Sequence, residues 1–139
     1  MTFSLVARCA KTGMFGIAIS SSSPAVAARC SFARAKVGAV ASQNVTDPTL
    51  GPLTLDLMQK GLSAEQAIQQ IQSIGKFIEY RQVLAIDETG STSIHSGPNS
   101  LGIWTQAEGK DVAAGGNLLS NESIPQSIVD AYISSDGHI

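Results

Sequence analysis

Residue 2 is a threonine, directly behind a methionine that its small neighbour makes removable. Excision would leave Thr2 with a free α-amine beside its own hydroxyl. An α-amine titrates at about 7.7–8.0, so it can serve as a base near neutrality. A threonine hydroxyl is a poor nucleophile without such a neighbour, and one residue carrying both groups is the most compact arrangement. On position alone, Thr2 also reads as an ordinary second residue with no chemical task.

The other polar residues offer weaker signals. Metal ligation needs clustered donors, but His95 and His138 stand alone. His95, placed in a strand, reads as a general base or as a structural or solvated histidine. Cys9 and Cys30 lack metal-site spacing and read as free thiols that behave as small buried hydrophobes. The phosphate-cradling Gly-x-x-x-x-Gly-Lys, the Gly-x-Gly-x-x-Gly turn and the Gly-x-Ser-x-Gly elbow are all missing. Ser20 and Gln43 fall at the ends of expected strands, where they could line a cleft and touch substrate. Arg81 could bind a substrate carboxylate through two parallel hydrogen bonds, or simply pair with Asp87 or Glu79. Arg29 and Arg34 read as solvated.

The elements that would position these residues follow from apolar spacing. Thr2 to Cys9 alternates with period two, Lys11-Thr12-Gly13 turns, and Phe15, Ile17 and Ile19 alternate again to Ser20; this is a β-hairpin. Val37–Gln43 is a strand of small residues, which suits a central position packed on both sides. After the Asp47-Pro48 and Gly51-Pro52 breaks, a helix is expected over Leu53–Lys60, with Gly61 as its left-handed stop. Ser63-Ala64-Glu65-Gln66 has the form of a capping box, and Ala64, Ala67, Ile68, Ile71 and Ile74 line one face of a second helix. Arg81–Asp87 and Ser91–Ser96 read as a second hairpin, residues 97–109 as a polar loop and Asp111–Ala114 as a short strand. A final helix runs over Asn121–Ser135, with Pro125 in its first turn. Strands outnumber crossovers, so the expected class is α+β with mainly antiparallel sheet.

Length and composition bound the rest. At 139 residues with 43% hydrophobic content, the chain suits one domain with its own core. Nine basic against eleven acidic residues give a net charge of −2, with no basic excess to neutralise phosphates, so nucleic acid is not an expected partner. No apolar run approaches the roughly 20 residues a membrane span needs. The start Met1-Thr2-Phe3-Ser4 has no basic n-region followed by a long apolar stretch, so the expected location is cytoplasmic. Only 14% of residues are charged, against roughly 25% in an average soluble protein. So lightly charged a surface points to association, as a homo-oligomer or with a further segment.

Several segments carry a resemblance, in this order along the chain: Thr2-Phe3-Ser4-Leu5-Val6-Ala7-Arg8, Gly16-Ile17-Ala18-Ile19-Ser20-Ser21, Ala33 to Gln43, Leu55-Asp56-Leu57-Met58, Gly61 to Ala67, Arg81-Gln82-Val83, Ile86-Asp87 and a Gly115-Gly116-Asn117 turn. Together they cover nearly the whole sequence. It resembles the family known as domain of unknown function 1028 (DUF1028), which is similar to the N-terminal nucleophile (Ntn) hydrolases. The resemblance implies a four-layer αββα sandwich over a single domain, 1–139, lacking the helix and strand with which the family commonly continues. It has Ser42-Gln43 where the family commonly shows Thr-Gln. It implies Thr2 as catalytic nucleophile once Met1 is removed, and Asn117 as an oxyanion donor; a turn asparagine with left-handed backbone is the simpler alternative for Asn117. Gln43 or Arg81 would orient the substrate. The implied activity is cleavage of a C–N bond in a small amide or peptide-like molecule, through an acyl-enzyme intermediate. Neither cofactor nor metal is needed, because nucleophile and base share one residue. The alternative is a catalytically silent binding or scaffolding protein that keeps Met1.

Overall fold

The computed structural model describes residues 1–136 and 139; His138 lies outside them. Eight strands form two four-stranded antiparallel sheets. The hairpin β1 (Thr2–Arg8) and β2 (Phe15–Ser21) is joined on its other side by β8 (Val112–Asn117) and then β7 (Thr105–Gly109), giving the order β2-β1-β8-β7. The second sheet runs β3 (Ser31–Arg34), β4 (Gly38–Gln43), β5 (Gln82–Asp87), β6 (Thr92–Ser96). Among the described residues there are also four α-helices, α1 (Ala27–Cys30), α2 (Leu50–Gln59), α3 (Ala64–Ile74) and α4 (Ile124–Ser134), and a 3-10 turn at Ile78–Tyr80.

Three apolar clusters define four layers. Val40, Val83 and Ala85 on one face of the second sheet pack against Leu50, Leu55 and Met58 of α2 and Ala67, Ile68 and Ile71 of α3. Val6 and Ala113 of the first sheet meet Ala39, Ala41, Leu84 and Ile86 of the second, which makes the central seam. Ala7, Val112 and Ala114 face outward onto Val129 of α4. The architecture is therefore an αββα sandwich of mainly small side chains, with β4, β5 and β8 buried along their whole length. No helix among the described residues is long and apolar enough to cross a membrane.

The α2–α3 pair follows its local signals. At the end of α2 the Gly61 N–H reaches Met58 O at 2.9 Å and the Leu62 N–H reaches Leu57 O at 3.3 Å, with Gly61 at φ +99°. Ser63 Oγ accepts from the Gln66 N–H at 3.2 Å while Gln66 Oε1 accepts from the Ser63 N–H at 3.0 Å, closing the capping box.

Elsewhere the structure revises the expectations. α2 starts at Leu50, not Leu53, because Pro52 sits in the first turn, where its missing N–H has no intrahelical partner to lose. Gly51 lets this turn press on β3: a Cβ there would meet the Phe32 ring at 2.0 Å. The polar loop of 97–109 contains β7, and α1 and β3 lie between Pro24 and Val37, where apolar spacing marks no clear element. Gly115-Gly116-Asn117 is not a turn but the end of β8, paired with Ser4, Phe3 and Thr2.

Candidate functional site

The four inner strands β1, β8, β4 and β5 each have one end at the same edge of the sandwich. Thr2 opens β1 and lies opposite Asn117, the last residue of β8. Gln43, the last residue of β4, lies opposite Gln82, the first of β5. Strand alternation sends Thr2, Ser4 and Val6 toward the seam between sheets and Phe3, Leu5 and Ala7 toward α4. Thr2 therefore stands at the mouth of the seam, in a cleft of about 160 Å³ walled also by Ser22, Val26, Arg29, Gln43, Asn117 and Leu118.

A chain of side-chain amides ties the sheets together beneath Thr2. Ser4 Oγ donates to Gln43 Oε1 at 2.8 Å, and Gln43 Nε2 donates to Gln82 Oε1 at 2.8 Å and to Gly115 O at 3.1 Å. Gln82 Nε2 donates to Ser96 Oγ at 2.9 Å and to Gly116 O at 3.3 Å. Asn117 Nδ2 reaches the shared Gln82 Oε1 at 3.3 Å. Gly115 faces the seam and leaves no side chain there, so the glutamine amides come directly onto the main chain of β8, whereas Gly116 faces the other way, where a Cβ would meet Leu119 at 2.7 Å and Phe3 at 3.1 Å.

The nucleophile candidate has a hydroxyl neighbour. Thr2 Oγ1 lies 2.8 Å from Ser21 Oγ, which also accepts from the Ser23 N–H at 3.1 Å. Met1 still covers the Thr2 nitrogen: its amine donates to Ser22 Oγ at 3.2 Å and its carbonyl accepts from the Ser22 N–H at 3.1 Å.

The cleft wall is built from unusual backbone. Asn44, Val45 and Leu118 have φ of +59°, +47° and +51°, a region that side chains other than glycine adopt at a cost. Asn44 is locked by both ends of its amide, donating to Tyr80 O at 2.5 Å and accepting from the Leu101 N–H at 3.1 Å. Arg81 Nη1 donates to Val45 O from behind the wall, and Nη2 reaches Lys76 O at 3.4 Å. Asp47 completes the loop: its carboxyl is held below the ordinary value first by the Thr49 hydroxyl at 2.6 Å, with Arg81 contributing.

Of the residues singled out from sequence, the structure brings together Thr2, Asn117 and Gln43. Asn117 is strand, not a left-handed turn; the positive φ belongs to Leu118. An amide nitrogen carries two hydrogens, and only one of those on Asn117 is engaged by Gln82. Gln43 has both amide hydrogens engaged, which makes it a strut between sheets instead of a substrate ligand. Ser20 is not in the cleft: it pairs with Phe3 and points to the α4 side, so the next residue, Ser21, faces Thr2. Arg81 supports the wall without lining the cleft, and it pairs with neither Asp87 nor Glu79. His95 is held at both ring nitrogens, Nε2 donating to Ile78 O at 2.8 Å and Nδ1 accepting from Gln72 at 2.8 Å, away from Thr2. Sequence reasoning missed Ser21, Asn44, Gln82 and Arg29; the serine run after β2 and the Gln43-Asn44 pair were the signals available. Among the described residues, no three of His, Cys, Asp or Glu gather as a metal site.

No curated protein matches the chain. Among solved structures it is similar to protein SPO2555 from Silicibacter pomeroyi, whose description names DUF1028, with a TM-score of 0.94 and 26% identity. That likeness covers 98% of this chain and 63% of the other, so the chain spans less than two thirds of the longer protein. The family model of DUF1028, a family of unknown function, matches residues 2–139. With its ordered segments, its fold and this match in agreement, the chain belongs to the DUF1028 family.

Proposed function

We propose that this chain is an N-terminal-nucleophile amidohydrolase of the cytoplasm that cleaves a C–N bond in a small amide or peptide-like molecule. The observation that carries the reading is the placement of Thr2 Oγ1, at an inner strand end in a cleft, with Ser21 Oγ at 2.8 Å and Asn117 directly opposite. After Met1 is removed, the Thr2 amine takes the hydroxyl proton as Oγ1 adds to the substrate carbonyl carbon. The free Nδ2 hydrogen of Asn117 is suited to the oxyanion; an amide donor of this kind supplies about 3 kcal/mol. The amine then passes its proton to the leaving nitrogen as the C–N bond breaks, leaving an ester on Thr2. Water attacks that ester, its proton goes to the amine and then to Oγ1, and the acid departs. The amide network beneath Thr2 keeps nucleophile and donor in register, which is what a preorganised site requires. Low charge, together with exposed Leu101, Ile103 and Trp104, supports association with a second copy or with further chain.

A second reading, a silent binding protein that keeps Met1, is favoured by the two hydrogen bonds that tie Met1 to Ser22. Intact mass of cellular protein separates the two, since retained methionine blocks the amine. The direct test is an amide-library screen of Met1-free protein beside Thr2→Ala and Thr2→Ser. Thr2→Ala should lose activity on the order of 10⁴-fold or more, with Thr2→Ser keeping part of it. Equal activity in Thr2→Ala and wild type would end the mechanism.

A further inference from the structure

The molecule is slightly acidic, and its three largest clefts each present a carboxylate. One holds Asp111, a second Glu65 and Asp111, and a third Asp87 and Glu88. The Thr2 cleft differs: no Asp or Glu lines it, and its one charged side chain is Arg29. That arginine is set in place by the turn before α1. Its Nη1 donates to Pro24 O at 2.9 Å and lies 3.5 Å from Ala25 O, with Ala25 itself at φ +49°. Both ion pairs among the described residues lie elsewhere, Arg8 with Asp111 and Arg34 with Asp56, so Arg29 keeps an uncompensated charge. A guanidinium carries five N–H donors in a planar fork, and anchoring one nitrogen on main-chain carbonyls leaves the rest to face the cleft.

We infer that the Thr2 cleft takes small amides that also carry a carboxylate, and that Arg29 is the residue that selects them. This rests on the reading of the cleft as the reacting site. The cleft, about 160 Å³ with Met1 in place, lies below the 300–1,000 Å³ usual for drug-sized ligands, so the molecule it holds is short. Its carboxylate takes the paired N–H groups of Arg29. Val26, Val45, Leu101 and Leu118 on the walls offer apolar contact to the rest of the molecule and no competing charge. A second carboxylate on the protein would compete for Arg29, and the wall has none. The carboxylate belongs either to the acyl portion or to the leaving amine, and ligands of both kinds distinguish them.

Calorimetry on Met1-free Thr2→Ala protein tests the selection without turnover. Succinamic acid carries its carboxylate on the acyl side and N-acetylglycine on the amine side; succinamide and N-acetylglycinamide are their neutral counterparts. At least one acid should bind roughly ten- to hundredfold more tightly than its neutral amide. Arg29→Gln should erase that preference and Arg29→Lys should keep part of it. Because Arg29 also supports its own turn, Ser23→Asp on the same wall provides a variant with Arg29 intact, and it should erode the preference by competing for the guanidinium. Equal affinity for acid and amide, no measurable acid binding at millimolar concentration, or a preference surviving in Arg29→Gln or, where that variant fails to fold, in Ser23→Asp overturns the inference. Amide hydrolysis surviving in Thr2→Ala would overturn the nucleophile reading and leave this preference intact, so the two failures are distinct.

Discussion

The two ends of β1 organise polar groups in opposite ways. At the Thr2 end, the groups beneath the cleft are neutral amides and hydroxyls, joined into one chain across both sheets by Ser4, Gln43, Gln82 and Asn117. At the other end, about 20 Å along the strand, they are ionic or ionisable. Arg8 pairs with Asp111 at 3.5 Å, the Tyr132 hydroxyl donates to Arg8 O at 2.9 Å, and Cys9 faces a cleft of about 450 Å³ that also holds Lys11 and Lys110. The Cys9 thiol is lowered to about 7, first by the Thr12 hydroxyl and then by main-chain N–H groups, while burial raises Tyr132. A neutral network holds its geometry over the whole working pH range; an ionisable cluster changes with pH. A site that must present one hydroxyl to one amide donor gains from the first arrangement.

Gln82→Leu breaks the comparison most severely. Leucine matches the volume but removes the acceptor shared by Gln43 and Asn117 and the donor to Ser96 Oγ and Gly116 O. Each buried polar group left unsatisfied costs about 1–3 kcal/mol, so urea unfolding should show a loss of about 3 kcal/mol. Asn117 also loses its anchor, so amide hydrolysis by the Met1-free protein should fall with it. A loss well under 1 kcal/mol would mean that the network does not hold this end together.

The Cys9 end should instead show its character in pH. Alkylation of Cys9 by iodoacetamide should follow a titration with its midpoint at about 7. Thr12→Val should move the midpoint up toward the ordinary 9.0, lowering the rate at pH 7 roughly tenfold per unit moved. The folded thiol titrates below the unfolded one, so the stabilisation from thiolate formation is complete above about 9 and is lost as pH falls through about 7. Wild type should therefore lose its stability advantage over Thr12→Val between those values. An unchanged midpoint in Thr12→Val would show that the main-chain N–H groups alone lower the thiol. The same substitution should leave hydrolysis at the Thr2 end unchanged.

How far these features were legible depends on whether a residue's neighbours lie near it in sequence. The α2–α3 turn was readable because Gly61, Ser63 and Gln66 satisfy their own helix ends. The alternation of β1 and β2 was readable, but not its phase at the last residues: placing Ser20 in the cleft counted to the strand end, whereas Ser21 shares the face of Thr2. β3 and β7 escaped notice because edge strands are short and exposed on one side, so Thr105–Gly109 has only the small Ala107 to mark its apolar face. Glycines in β8 imitate a turn, yet a side chain at Gly115 would press on Leu84 and Gln82 of the facing sheet, and one at Gly116 on Leu119 and Phe3 on the outer side. Gln82 and Arg29 gave no signal: one looks like an ordinary strand residue and the other like a solvated charge until distant segments are brought beside them.

The smallest effect is expected at Val45, where it tests whether the strained wall belongs to the function. A β-branched residue at φ +47° costs about 1–2 kcal/mol, and the side chain is 51% exposed, so little burial is lost with it. Glycine removes that cost but adds about 0.5–1 kcal/mol of conformational entropy to the unfolded chain. Val45→Gly should therefore stabilise the fold by about 0.5 kcal/mol, since the bond from Arg81 goes to the Val45 main-chain oxygen and survives the substitution. If the strain serves the cleft, hydrolysis at Thr2 should weaken while the melting temperature rises, a separation that a purely structural loop would not show. Melting and turnover measured on the same preparation decide it. A lower melting temperature would mean that the valine side chain contributes more to the wall than its backbone costs, and the strained geometry would then need no functional account.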